Sequence, residues 1–164
     1  IGIAYKHLGQ YNNALKYYNQ ALSCSGNDKH LLLRIYGNIA TAYKALNQFE
    51  AALKYFEICL DYSIELGDKR NECICLGNIG NYYMNLHQYD NAMTNFNKSL
   101  QIANEINFII GVINAYYNLG IVAFYQQDYM KAEEYWKLSL EKSSAINYKS
   151  GIDLSNNALN QLPK

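Results

Sequence analysis

The chain repeats itself every 40 residues. Gly37-Asn38-Ile39 returns as Gly77-Asn78-Ile79 and is echoed at Tyr117-Asn118-Leu119, while Ala52, Ala92 and Ala132 hold the same interval. A unit of this size cannot bury its own apolar face, so successive copies must stack into a solenoid. Architecture and function class both follow, because stacked repeats chiefly present binding surfaces.

Within one unit, residues 28–67, Leu33, Tyr36, Ile39, Ala40, Tyr43 and Leu46 follow the i, i+3, i+4, i+7 spacing of a single helix face. Asn47-Gln48 interrupts the pattern. A second helical stretch then runs through Phe49, Ala52, Leu53, Phe56, Cys59, Leu60 and Ile64. A link of two or three residues makes the two helices antiparallel neighbours. The unit closes at Gly67, in register with Asn107 and Asn147 and with Asn27 upstream. Gly and Asn enter the left-handed conformation at least cost, which is what a residue just past a helix end requires. Asp28 and Asp68 follow as N-caps.

Small residues recur at the same phase: Ala14, Ala52, Ala92 and Ala132 in the second helices, Gly2, Ala40, Gly80 and Gly120 in the first. Each second-helix Ala is followed four residues later by a large ring, Tyr18, Phe56, Phe96 or Trp136. The pattern implies close helix approach at the small positions, with the rings filling the space beside it. The fold expected is all-α, an α-α superhelix of stacked antiparallel helix hairpins. It comprises a partial first repeat (1–27), three full repeats (28–67, 68–107, 108–147) and a capping helix (148–164), as one continuous solenoid. Ile1-Gly2-Ile3-Ala4-Tyr5 aligns with Ile39-Ala40-Thr41-Ala42-Tyr43, which reads as a start inside a helix and hence a fragment of a longer protein. In the tail, Ser155, Asn156, Asn157, Asn160 and Gln161 are expected to face outward.

Composition narrows the function. Fourteen basic residues balance 14 acidic ones, without the basic footprint of a nucleic-acid or anionic-membrane binder. No apolar run is long enough to span a bilayer. Cys24, Cys59, Cys73 and Cys75 lack matched spacing and read as buried free thiols of a cytoplasmic protein. His7, His30 and His87 are scattered, so no metal site or cofactor is expected. No nucleophile–base pairing or phosphate loop appears, so no enzyme activity is expected.

The second unit reads Tyr36, Ile39, Ala40, Tyr43, Asn47, Phe49, Ala52, Phe56, Cys59, and the third Leu76, Ile79, Gly80, Tyr83, His87, Tyr89, Ala92, Phe96, Ser99. With the fourth and the partial first, these resemble the tetratricopeptide repeat (TPR) pattern over residues 1–147. The period is 40 rather than 34, and the closing proline is missing. This resembles the long-repeat variant of Pins-type scaffolds, kinesin light chains and bacterial peptide-sensing regulators. The resemblance implies a right-handed superhelix with a concave wall of first helices. It places Arg34, Asn38, Thr41, Lys44 and Ala45 on that wall, then Ile74, Gly77, Asn78, Asn81, Met84 and Asn85, then Asn114, Tyr117, Asn118, Ile121, Phe124 and Tyr125. Asn38, Asn78 and Asn118 resemble an asparagine ladder that holds peptide backbones.

The candidate peptide-binding residues are therefore Arg34, Asn38, Lys44, Asn78, Asn81, Asn85, Asn118, Tyr117 and Tyr125. An amide both donates and accepts, so a row of them can pair with a peptide backbone without demanding charge. Each Asn could equally bond a neighbouring helix. The row grades from basic to aromatic. The charged clamp of chaperone-binding TPRs is not reproduced, since Ile74 and Gly77 stand where charge is needed. The function expected is a protein- or peptide-binding scaffold, with a protein or peptide segment as partner and neither nucleic acid nor membrane. The alternative is a regulatory TPR segment of a larger signalling protein (a kinase, cyclase or peptide-responsive regulator). End-to-end self-association through the partial first repeat is a third reading.

Overall fold

The computed structural model describes residues 1–163. Among them stand nine α-helices and no strand: α1 (Gly2–His7), α2 (Tyr11–Cys24), α3 (Lys29–Ala45), α4 (Phe49–Glu65), α5 (Lys69–Asn85), α6 (Tyr89–Glu105), α7 (Ile109–Tyr125), α8 (Tyr129–Ala145) and α9 (Lys149–Leu159). The chain divides into two compact units, Ile1–Cys75 and Leu76–Lys164, with the division inside α5. In the first, α1 packs on α2, α2 on α3, and α3 on α4. In the second, α6 packs on α7, α7 on α8, and α8 on α9, and α7 also touches α9.

Every helix from α3 to α8 is 17 residues long. The lengths are equal because the stops recur. Asn47, His87 and Gln127 take left-handed φ of 58°, 57° and 63°, as do Gly67, Asn107 and Asn147 at 67°, 54° and 54°. At each stop two backbone bonds close the helix end. Asn47 N–H reaches Lys44 O at 3.0 Å and Gln48 N–H reaches Tyr43 O at 3.0 Å, and the pair recurs at Gln127 and Asp128. Orphan carbonyls of the last turn are satisfied in this way. α3 and α5 begin on a side-chain cap: Asp28 accepts from Leu31 N–H and Asp68 from Asn71 N–H, both at 3.0 Å.

Three expectations are corrected. The first left-handed stop between hairpins is Gly26, at φ 57°, and not Asn27. The reason is that α2 has 14 residues against the 17 of α4, so its connection falls out of phase with the later ones. Cys24 ends that short helix and is exposed, unlike the buried Cys59, Cys73 and Cys75. Ser155 is fully buried rather than outward, because it shares the inner face of α9 with Ala158.

The small–large pairing is a direct contact. A Cβ built on Gly2 lies 2.7 Å from the Tyr18 ring, on Gly80 2.6 Å from Phe96, and on Gly120 2.4 Å from Trp136. Each ring therefore lies flat across a glycine of the preceding helix, which only glycine permits at that distance. Around these contacts sit the cores. In the first unit Ala14, Tyr18, Ile35 and Ile39 cluster with Tyr36, Tyr43 and Tyr55. In the second, Ala92, Phe96, Leu119 and Val122 form one cluster. Ala132, Trp136 and Ala158 form another, covered by Leu159 and Leu162.

Candidate functional site

On α3 the buried residues are Leu33, Ile35, Ile39, Ala40 and Ala42. Arg34, Thr41, Lys44 and Ala45 stay open and Asn38 is half-buried, so the five make one stripe at helical spacing. This stripe is largely engaged with itself. Asn38 accepts from Lys6 Nζ at 2.8 Å and donates to Arg34 O at 2.8 Å, while Thr41 Oγ1 donates to Gly37 O at 2.8 Å. Desolvation of its ammonium pushes the Lys44 pKa down. The Arg34 guanidinium has no acidic partner among the described residues.

The second unit carries the matching stripe on α7. Its buried face runs through Val112, Ile113, Ala115, Leu119, Val122 and Ala123. Asn114, Tyr117, Asn118, Ile121, Phe124 and Tyr125 occupy the other side, half-buried or exposed. Tyr117 belongs partly to the core, packing with the Trp136–Ala158 cluster, and burial raises its phenol pKa. Its carbonyl accepts from Trp136 Nε1 at 3.1 Å. Asn118 is half-buried, and its amide has no hydrogen-bond partner among the described residues. Along the α5 part of this unit, Asn78 and Asn81 are half-buried and Asn85 is exposed. Tyr125 is 57 % exposed and stacks on Tyr89.

A cleft of about 330 Å³ opens in the first unit between Ile1, Ile3, Tyr18, Leu31, Arg34 and Asn38. The Tyr18 hydroxyl is buried there without a hydrogen-bond partner. In the second unit the aromatic at the same repeat position, Trp136, donates to a carbonyl of α7, and Ser139 donates to Ile113 O at 3.2 Å. There the 113–117 turn of α7 supplies the acceptors.

Sequence reasoning did not find the Lys6–Asn38 bond, the Tyr89–Tyr125 stack or the contact between the Cys59 and Cys75 thiols. That last contact raises the Cys75 pKa, with burial adding to it, and lowers that of Cys59. No three His, Cys, Asp or Glu side chains among the described residues gather in a metal-holding group, and no helix is long and apolar enough to cross a membrane.

Equal helices, left-handed stops and ring-on-glycine contacts define a helical-hairpin repeat protein. The sequence profile of the tetratricopeptide repeat family matches residues 1–65 and 71–141, and the chain belongs to that family. No curated protein matches the sequence. Solved structures share the fold. Aspartyl phosphate phosphatase F from Bacillus subtilis is 20 % identical with a TM-score of 0.86, over 98 % of this chain and 44 % of that one. A STAND (signal transduction ATPase with numerous domains) protein with a tetratricopeptide repeat sensor, from Pyrococcus horikoshii, is 20 % identical at 0.81, over 93 % of this chain and 24 % of its own. A Rap protein complexed with Competence and Sporulation Factor is 19 % identical at 0.80, over 93 % and 44 %. The chain thus spans less than half the length of each of these three.

Proposed function

We propose that this chain is a cytoplasmic protein- or peptide-binding module that recruits a partner segment along the stripes of its first helices. In this reading residues 28–67, 68–107 and 108–147 are repeats of one array, and α9 caps it. The observation that carries the reading is Asn118. Its half-buried amide is held on a helix face beside Ile121 and Tyr125, and its donors and acceptor are unspent. A half-buried amide without partners costs free energy unless a ligand or water completes it. An extended backbone offers both complements. A similar Rap protein was solved as a complex with Competence and Sporulation Factor, which fits the same mode of use.

The test is capture of peptides from a library by the wild-type chain and by the Asn78→Ala/Asn118→Ala variant. Loss of capture with unchanged helicity is expected. Equal capture by both would remove the asparagine stripe from the mechanism. The second reading, a regulatory segment acting on a neighbouring domain, is favoured by the likeness to a STAND protein's repeat sensor. A catalytic or DNA-binding domain encoded in the same gene would support it.

A further inference from the structure

Where α5 turns into α6 and α7 into α8, aromatic rings form a connected run inside the second unit. The Tyr89 and Tyr125 rings are parallel, 6.0 Å apart at 8°. Tyr125 meets Phe124 edge-on at 6.1 Å and 81°. The His87 ring stands edge-on to Tyr89, with Nδ1 3.0 Å from the Tyr89 hydroxyl. The run is anchored at one side, where Tyr89 and Phe124 pack against buried clusters, and open at Tyr125, which is 57 % exposed.

One carboxylate beside it, in the first turn of α6, is offset only by the helix N-terminus. The Asp90 carboxylate follows Tyr89 in sequence and meets the Gln126 amide at 3.5 Å, and it is in no ion pair among the described residues. Lys131 does not neutralise it, being held by Asp128 at 2.8 Å. Two parallel phenols present a negative π-face, and Asp90, which meets the amide of the residue after Tyr125, adds a full negative charge nearby. The combination favours a flat, delocalised cation that can stack and donate at once, which is a guanidinium more than an ammonium. It disfavours an acidic side chain through like charge.

We propose that this rim is a docking site for an arginine side chain of the partner peptide, stacked on Tyr125 and hydrogen-bonded to Asp90. The proposal rests on the peptide-binding reading for the nature of the partner. Tyr125 lies seven residues beyond Asn118 on α7, about 10 Å along the helix. An extended chain covers that distance in about three residues. The arginine is thus expected about three residues from the backbone unit that pairs with Asn118.

The probe is the tripeptide acetyl-Gly-Arg-Gly-amide against its citrulline counterpart, which has the same shape and no charge, titrated by NMR. The arginine peptide should shift the Tyr89 and Tyr125 ring signals and bind about 3- to 10-fold tighter than the citrulline peptide. Tyr125→Phe should keep that preference, while Tyr125→Leu and Asp90→Asn should each remove most of it. Equal binding of the two peptides, or an arginine preference intact in Tyr125→Leu, would overturn the proposal. The Asn118→Ala variant separates the two readings. Library capture that depends on Asn118 but shows no arginine preference sinks only the rim site. An arginine preference without Asn118 dependence sinks only the asparagine stripe.

Discussion

The two units fill the same repeat positions with different chemistry. In the second, the ring over Gly120 is an indole whose N–H is fixed on Tyr117 O, and Ser139 receives from Ser155 at 3.0 Å while donating to Ile113 O. In the first, the ring over Gly2 is the Tyr18 phenol, whose hydroxyl is unspent beside a cleft. The position matching Ser139 is Cys59, whose thiol reaches Leu33 O at only 3.7 Å. On the stripes the order reverses: Asn38 is spent on Lys6 and Arg34 O, and Asn118 is unspent. The repeat therefore dictates volume and phase at each slot. It leaves the hydrogen bonding free to vary, and with it the surface a ligand would meet.

The largest effect should come from the glycine slots. Gly120→Ala drives a methyl into an indole that its own hydrogen bond holds in place, and should cost on the order of 1–3 kcal/mol in urea unfolding. Gly2→Ala should cost clearly less, because Tyr18 has a cleft to swing into and no hydrogen bond to lose. Equal costs would break the contrast. Next is Ser139→Ala, which strands the buried Ser155 hydroxyl and should cost about 1–3 kcal/mol. Cys59→Ala removes the Cys75 contact and a long sulfur contact to Leu33 O, but strands a thiol rather than a hydroxyl, so the same measurement should show a smaller loss. The left-handed stops come third. Gln127→Gly relieves a side chain held at φ 63° and should raise stability by up to about 1 kcal/mol, seen as a higher Tm. Asn47→Gly should gain only a few tenths, since Asn tolerates that conformation. The smallest stability effect belongs to Asn118→Ala, expected within about 0.5 kcal/mol of wild type. Asn38→Ala should cost more in stability and less in peptide capture.

Periodicity made the helix pairs legible, because apolar spacing and Gly/Asn punctuation both arise from single-helix geometry. The stripes were legible through the family resemblance, and Arg34, Asn38, Asn118 and Tyr125 do lie off the buried faces of their helices. What a residue bonds to was not legible. The engagement of Asn38 depends on Lys6, 32 residues away. Ser155 reads as a solvent-facing residue of a polar helix, and only the facing Ser139 shows why it is buried. Gly26 displaced Asn27 as the stop because α2 is three residues shorter than its counterpart, a break in phase that a fixed period conceals. His87 and Gln127 carry no compositional signal for a left-handed backbone; only their 40-residue alignment with Asn47 does.

A ring pressed onto a glycine of the facing helix also sets how the molecule can deform. The two helices of such a hairpin cannot slide past one another without lifting the ring over the flanking side chains. A hairpin closed in this way, α1 with α2 or α7 with α8, therefore tilts as one stiff plate before its helices slide.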